Sequence, residues 1–392
     1  MYTHNGQDIF VVDGHMHLWD ASPENQLPPH GKNWIDCFYA YHSGLSPADA
    51  KWPYEKFCQY GEAALIDDLF IQGYVDVGIL NSTYLYEFYK NGFNSHHQNN
   101  ALKAKYPERF LLNGSFDPRA EEAGLEEFRH MVEQYPIAGL KLYTAEWRQG
   151  SKGWRLNDPW AYRYFELCQE LGITNIHVHK GPTVYPLSRD AFDVHDVDDA
   201  ATDFPALNFI VEHVGLPRLD DFCWIATQEK NVYAGLAVAM PFIHPRPRYF
   251  AEIMANLLFW LGPDKLLFGS DYAIWTPKWQ IEKLMAFELP DDIRQEYGVE
   301  LTLETKRKIL GENAARLYGI DPAVHREKLR RDVLGVHLAT ATAEPGGGRG
   351  LSRGLRARAR VRQGDHGGSR QPGALMDQGV QGIQSDAALR LS

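Results

Sequence analysis

Cysteine is scarce in this 392-residue chain, which has only Cys37, Cys58, Cys168 and Cys223. Their wide spacing forms neither a disulfide framework nor a paired CxxC metal knuckle. Long apolar runs are missing as well, and no stretch approaches the roughly 18–20 residues of a membrane span. The start, MYTHNGQDIF, lacks a basic stretch followed by an apolar core. No signal peptide is therefore expected, and a reducing, cytoplasmic location is the default. Lysine, glutamate and every aromatic residue vanish after position 344. Residues 345–392 hold eight Arg and three Asp, whereas residues 1–344 hold 32 basic and 48 acidic groups, a balance of −16. The whole-chain charge of −11 thus averages two unlike segments. An acidic, aromatic-rich body excludes nucleic-acid binding by charge. The Gly- and Arg-rich tail from about 340 cannot bury enough surface to order itself and is expected to be disordered.

Eight short apolar runs are present: IFVVDGH (9–15), YVDVGIL (74–80), FLLNGSF (110–116), AGLKLY (138–143), TNIHVH (174–179), NFIVEH (208–213), VYAGLAVA (232–239) and KLLFGSD (265–271). Most suit strands buried on both faces of a parallel sheet. Helical patterns fill the intervals, as at 125–135, 158–172 and 247–262, with Asp158 and Pro159 reading as a cap and first-turn pair. Strand–helix alternation repeated eight times predicts an α/β fold, a (β/α)8 TIM barrel. No glycine-rich dinucleotide turn supports the alternative of a doubly wound open sheet. The barrel is assigned to 1–322, a helical extension to 323–339 and the tail to 340–392. Residues 18–63 form a long connection after the first strand, rich in Trp and Tyr. A connection of that length folds as a lid, a dimer contact or an excursion packed by its own aromatics.

In such a barrel, chemistry sits at the C-terminal ends of the strands. The first strand ends in His15-Met16-His17, and positions i and i+2 point to one side. The fifth ends in His177-Val178-His179, the sixth in Glu212-His213 and the eighth in Gly269-Ser270-Asp271. A lone histidine is more often a satisfied core residue. Imidazoles and a carboxylate at four strand ends form the usual ligand set of a catalytic divalent metal.

Five segments carry a family resemblance: VVDGHMHLWD (11–20), NIHVHKGP (176–182 with its flanking Asn175), FIVEHVGLP (209–217), LLFGSDY (266–272) and ILGENAARLYGI (309–320). Over about residues 8–321 the chain resembles the amidohydrolase superfamily. It is similar to the amidohydrolase-related group of aminocarboxymuconate-semialdehyde decarboxylase, resorcylate-type decarboxylases and sugar or pyrone lactonases. The resemblance implies metal ligands at His15, His17, His179 and Asp271, and a catalytic histidine at His213 after the sixth strand. It selects His179 over His177 because Lys180-Gly181 follows, and leaves His177 one layer deeper. It implies one divalent ion, zinc first, with manganese or iron as alternatives. A lysine at the position of Lys141 bridges two metals in binuclear relatives; a substrate contact or a barrel-wall ion pair is expected instead. Asp271 and His213 are expected to transfer protons while metal-activated water attacks a small lactone, ester or amide. Non-oxidative decarboxylation of an aromatic or unsaturated acid is the alternative, and a metal-binding accessory protein is the third reading. Candidate substrate contacts are Lys141, Tyr143, Arg148, His244, Arg246 and Trp275, with arginine suited to a carboxylate. A small-molecule substrate and a homodimer are the expected partners, with no membrane.

Overall fold

The computed structural model describes residues 1–336 and residue 338. The tail beyond 340, expected to be disordered, lies outside the described residues. A short antiparallel hairpin, β1 (Tyr2–His4) and β2 (Gln7–Ile9), precedes eight parallel strands. These are β3 (Val12–Met16), β4 (Val77–Asn81), β5 (Phe110–Gly114), β6 (Ile137–Leu142), β7 (Asn175–His179), β8 (Asn208–Glu212), β9 (Val232–Gly235) and β10 (Leu266–Leu267). They pair in chain order, each with the next. The sheet then nearly closes on itself. Gly14 N donates to Phe268 O at 2.9 Å, and Asp271 N donates to His15 O at 3.0 Å. Gly14 permits this seam, since a Cβ there would sit 2.9 Å from Phe268 O. The fold is the expected TIM barrel, and each of the eight apolar runs overlaps one of its strands.

Helices occupy the intervals: α1 (His30–Leu45), α2 (His96–Lys105), α3 (Glu121–Gln134), α4 (Pro159–Glu170), α5 (Asp196–Asp203), α6 (Leu219–Gln228), α7 (Pro247–Leu261), α8 (Pro277–Ala286) and α9 (Pro322–Arg331). Ser95 and Gln98 start α2 with a reciprocal capping box. At α4 the local chemistry differs from expectation. Pro159 occupies the first turn, but Asp158 accepts Arg155 N at 2.9 Å and bonds no helix amide.

The barrel interior is layered. Its floor is apolar, built from Val12, Val77, Ile79, Ile210, Tyr233 and Leu267 and plugged by Ala314 and Ala315 of the closing helical segment. Above it lies a buried polar layer that includes Asn81, Asn113, Lys141, His177 and Glu212. His17, His179 and Asp271 follow near the strand tips. Parity gives this order on strands such as β4, β7 and β8, because residues two apart face the same side, whereas on β3 a register shift between Asp13 and Met16 separates Val12 of the floor from His15.

The long connection after β3 is compact. Trp19, Trp34, Phe38, Phe57 and Tyr60 are buried within it, and Trp19 stacks on Phe93 with ring centroids 5.2 Å apart. Its helix α1 is tied to other loops. Tyr41 Oη donates to Thr183 O at 2.7 Å, and His42 Nδ1 donates to Ile274 O at 2.6 Å.

Candidate metal centre

Each histidine of the cluster has one ring nitrogen committed. His17 Nδ1 donates to Asn81 O at 2.9 Å, and His213 Nδ1 donates to Ala237 O at 3.1 Å. A carbonyl only accepts, so both protons sit on Nδ1. Glu212 Oε2 stands 2.5 Å from His15 Nδ1, too close for two lone pairs to face each other, so that nitrogen is protonated too. His213 Nε2 is then an acceptor. It lies 3.0 Å from His179 Nδ1, which must donate. The consequence is general: every Nε2 of His15, His17 and His179 carries a lone pair.

Those lone pairs have little to bond. His15 Nε2 and His17 Nε2 face each other at 3.0 Å, and Asp271 Oδ1 lies 3.5 Å from the first and 3.9 Å from the second. His179 Nε2 is buried without a hydrogen-bond partner. Buried lone pairs aimed at one another are unfavourable unless a shared cation lies among them. Among the described residues, His15, His17 and Asp271 bring their ligand atoms within 4.8 Å of one another and could hold a metal ion. His179 is not in that group of three; it packs against His213, ring to ring at 4.4 Å. The donor set fits a divalent ion of borderline softness.

For the four imidazoles, electrostatics act in the same direction. Burial pushes His15 and His179 well below the ordinary imidazole range. It takes His17 to about 4 and His213 to about 3, with the Lys141 ammonium adding to the effect. All four are neutral near pH 7, the form that ligates. Burial raises the Asp271 carboxyl to about 8, opposed by Lys141. Burial would also raise Glu212, but its close contacts with His15, Lys141 and His177 outweigh that and hold the carboxyl well below its usual range.

Backbone geometry at the strand exits matters here. His213 (φ 67°), Val214 (φ 49°) and Asp271 (φ 57°) are left-handed, an uncommon conformation for residues with a Cβ. That turn lets both Glu212 and His213, adjacent in sequence, reach the cluster. Gly181 leaves room for it, since a Cβ there would lie 2.5 Å from the His213 Cβ.

Two residues of the site have no role assigned from the sequence. Glu212 holds His15 through Oε2 and His177 Nδ1 through Oε1 at 2.5 Å, and His177 Nε2 accepts from Tyr318 Oη at 2.8 Å. Asp13 accepts Ser270 N at 2.9 Å and Ser270 Oγ at 2.5 Å, which ties the two strands that carry the HxH and GSD ligands. The signal for Glu212 was its place beside His213 at a strand end.

The candidate substrate contacts separate into groups. Trp275, with His179, His213 and Asp271, lines a small pocket of about 90 Å³ closed by Phe38, Tyr41 and Leu45 of α1. Lys141, Tyr143 and Arg148 line a second cavity of about 320 Å³ beside β4, β5 and β6. Arg148 is half-buried and pairs with Asp117 at 3.5 Å. His244 and Arg246 line neither cavity. Both are exposed, and Arg246 lies over the Tyr249 ring at 4.7 Å. Their placement as substrate arms is not supported, because the turn that carries them faces solvent. Lys141 Nζ is 3.9 Å from Glu212 Oε1.

Comparison with known proteins bears on the whole barrel. The family model described as Amidohydrolase matches residues 12–320. No curated protein matches the sequence. An uncharacterized TIM-barrel protein from Bordetella bronchiseptica superposes with a TM-score of 0.60 at 17% identity, covering 79% of this chain and 99% of that one. A 2,6-dihydroxybenzoate decarboxylase from Rhizobium gives 0.52 at 14%, with 80% and 99% covered. An amidohydrolase from Burkholderia multivorans with bound zinc gives 0.50 at 14%, with 80% and 100% covered. At these identities the likenesses show the fold. Among the described residues, no helix is long and apolar enough to cross a membrane.

Proposed function

Because the chain belongs to the amidohydrolase family, we propose that it is a metal-dependent hydrolase of a small lactone, ester or amide. His15, His17 and Asp271 would hold one divalent ion, with His179 as the fourth ligand. Zinc is favoured by the imidazole-rich set, ahead of manganese and iron. When bound, such an ion supplies Lewis acidity and a water that ionises near neutral pH. The observation that carries the reading is the pair of Nε2 atoms of His15 and His17 that face each other at 3.0 Å beside Asp271 Oδ1, with Asn81 O on the other nitrogen of His17 and the Glu212 carboxylate 2.5 Å from that of His15.

The chain's own groups do the rest. Glu212 keeps the His15 proton on Nδ1 and so keeps Nε2 available. Ala237 O keeps the His213 proton on Nδ1, and His213 Nε2 accepts from His179 Nδ1, so His213 takes a proton only by giving up that bond. His213 and Asp271 are the pair that can take and return a proton there. Phe38, Leu45 and Trp275 restrict water at the small pocket. Helix α1 acts as the lid over it.

A second reading is non-oxidative decarboxylation. The apolar walls of the small pocket favour it, since they suit an unsaturated or aromatic ring and limit solvation of the carboxylate that is lost.

Elemental analysis and turnover of three variants test the proposal. His15→Ala and Asp271→Ala should lose most bound metal. His213→Ala should retain it and lose about 10²–10⁴-fold in turnover. Wild-type metal content in both ligand variants would refute the assignment. Acid release from lactones and esters, against CO2 release from aromatic acids, separates the two reactions.

A further inference from the structure

We propose that the cavity of about 320 Å³ beside β4, β5 and β6 is a binding site for a small organic anion, with Lys141 Nζ and Tyr143 Oη at its closed end as the carboxylate receptor. This deepens the proposed function and rests on it for the statement that the bound acid is substrate or product.

The polar groups of the wall are mostly satisfied by one another. Ser82 Oγ meets His96 Nδ1 at 2.6 Å, and His96 Nε2 meets Ser115 Oγ at 3.1 Å. Two groups stand outside that pattern. Lys141 Nζ and Tyr143 Oη are buried, 1% and 8% exposed, and neither has a hydrogen-bond partner. A buried ammonium without a hydrogen bond is costly, and the nearest carboxylate oxygen, Glu212 Oε1, is 3.9 Å away. Glu212 is already shared between two imidazoles. A ligand oxygen that accepts from both donors removes the deficit, and a carboxylate does so with charge.

The wall also sets ligand size and polarity. Its volume suits a small ligand. Aromatic faces form one side, with Phe116 and Tyr164 stacked at 4.5 Å. Towards solvent the lining carries Glu146 and Asp117; Asp117 is bonded by Arg119 at 2.7 Å, with Arg148 3.5 Å away. The two free donors lie together at the buried end, so one carboxylate of the ligand is held there. The receptor also borders the metal cluster: the Tyr143 ring lies 4.4 Å from the His179 ring. The anion end of a ligand would thus be held beside the cluster by groups that ligate no metal.

Calorimetric titration of benzoate and benzyl alcohol into the full chain, zinc-loaded and chelator-treated, tests this. Benzoate should bind one-to-one in both preparations. Lys141→Met should weaken it at least 10-fold and Tyr143→Phe about 3- to 10-fold, while benzyl alcohol is unaffected by either change. Circular dichroism checks each variant, and should Lys141→Met fail to fold, Tyr143→Phe decides. Equal benzoate affinity in wild type and variants overturns the proposal, as does equal loss of benzyl alcohol, or no saturable binding to a protein that takes up zinc. Benzoate binding to a protein that takes up no zinc would leave the anion site standing and remove the metal-dependent reading.

Discussion

The two halves of the barrel rim solve different problems. The ends of β3, β7, β8 and β10 bring four imidazoles and a carboxylate together so tightly that ring nitrogens approach to 3.0 Å. The ends of β4, β5 and β6 instead open into a cavity of about 320 Å³ whose wall groups mostly bond one another. In the first half, donors on one side of each ring leave lone pairs on the other. In the second, two donors are left over at the closed end. The difference underlies the two proposals: lone pairs gathered without donors suit a cation, and donors left without acceptors suit an anion. Lys141 lies on the boundary, buried in the polar layer beneath both.

Breaking the first half should have the largest effect, and Glu212 is the place to do it. Its two oxygens each stand 2.5 Å from an imidazole nitrogen. Glu212→Ala leaves Lys141 and two rings without their shared carboxylate and should cost about 3–5 kcal/mol of stability in urea unfolding. Glu212→Gln keeps the shape and should lower zinc affinity about 10- to 100-fold, read by chelator competition. Unchanged zinc affinity in the glutamine variant would mean that the ring orientation of His15 is set elsewhere.

An intermediate effect is expected where α1 closes over the small pocket. His42 Nδ1 donates to Ile274 O at 2.6 Å and its Nε2 accepts Trp52 N at 2.7 Å, so one neutral ring ties the helix to the loop after β10. His42→Ala strands a buried amide and a carbonyl, and a loss of about 2 kcal/mol in unfolding free energy should follow. Zinc affinity should move less than 3-fold, because no ligand contacts His42. A large fall in zinc affinity would show that the lid and the cluster are one unit rather than neighbours.

The sequence made one half of this comparison far more legible than the other. Parity pairs His15 with His17 and His177 with His179 at strand ends, and the family resemblance chooses His179 and adds Asp271; Lys141 and Tyr143 share a side by the same parity. Parity fails where the chain leaves a strand. His213 follows Glu212 directly, yet both face the cluster, because His213 and Val214 turn left-handed. That is why Glu212 was seen but given no role. The cavity was not legible, since Ser82, His96 and Ser115 are far apart in sequence and meet only through the packing of the loops after β4 and β5. His244 and Arg246 lie outside both cavities for a related reason. Arginine and histidine after a strand suggest substrate arms, but nothing local fixes which way that turn faces. The barrel itself rests on repeated apolar runs, a long-range pattern that survives errors of a few residues at each boundary.

The smallest predicted effect probes the outer end of the cavity. Glu146 is partly buried, and its Oε1 accepts Tyr86 N at 3.2 Å. Burial raises its carboxyl to about 7, and Asp117 adds to the rise, while the Tyr86 amide, Arg119 and the Leu85 amide oppose it. Arg148 also lines this end but is paired with Asp117. The folded-state value lies above the ordinary carboxyl value of 4.5. Between those limits the folded chain holds more protons than the unfolded one, so this group's contribution to stability falls as pH rises through the window. Glu146→Gln removes that dependence. Relative to the wild type, its unfolding free energy should therefore increase from pH 4.5 to pH 7.5 by on the order of 1 kcal/mol, after allowance for solvent screening. Urea titrations of both proteins at the two pH values measure it. A wild-type-minus-variant difference that does not change with pH would place Glu146 in solvent, and the cavity mouth would then lack the acidic, desolvated edge that distinguishes it from the metal side.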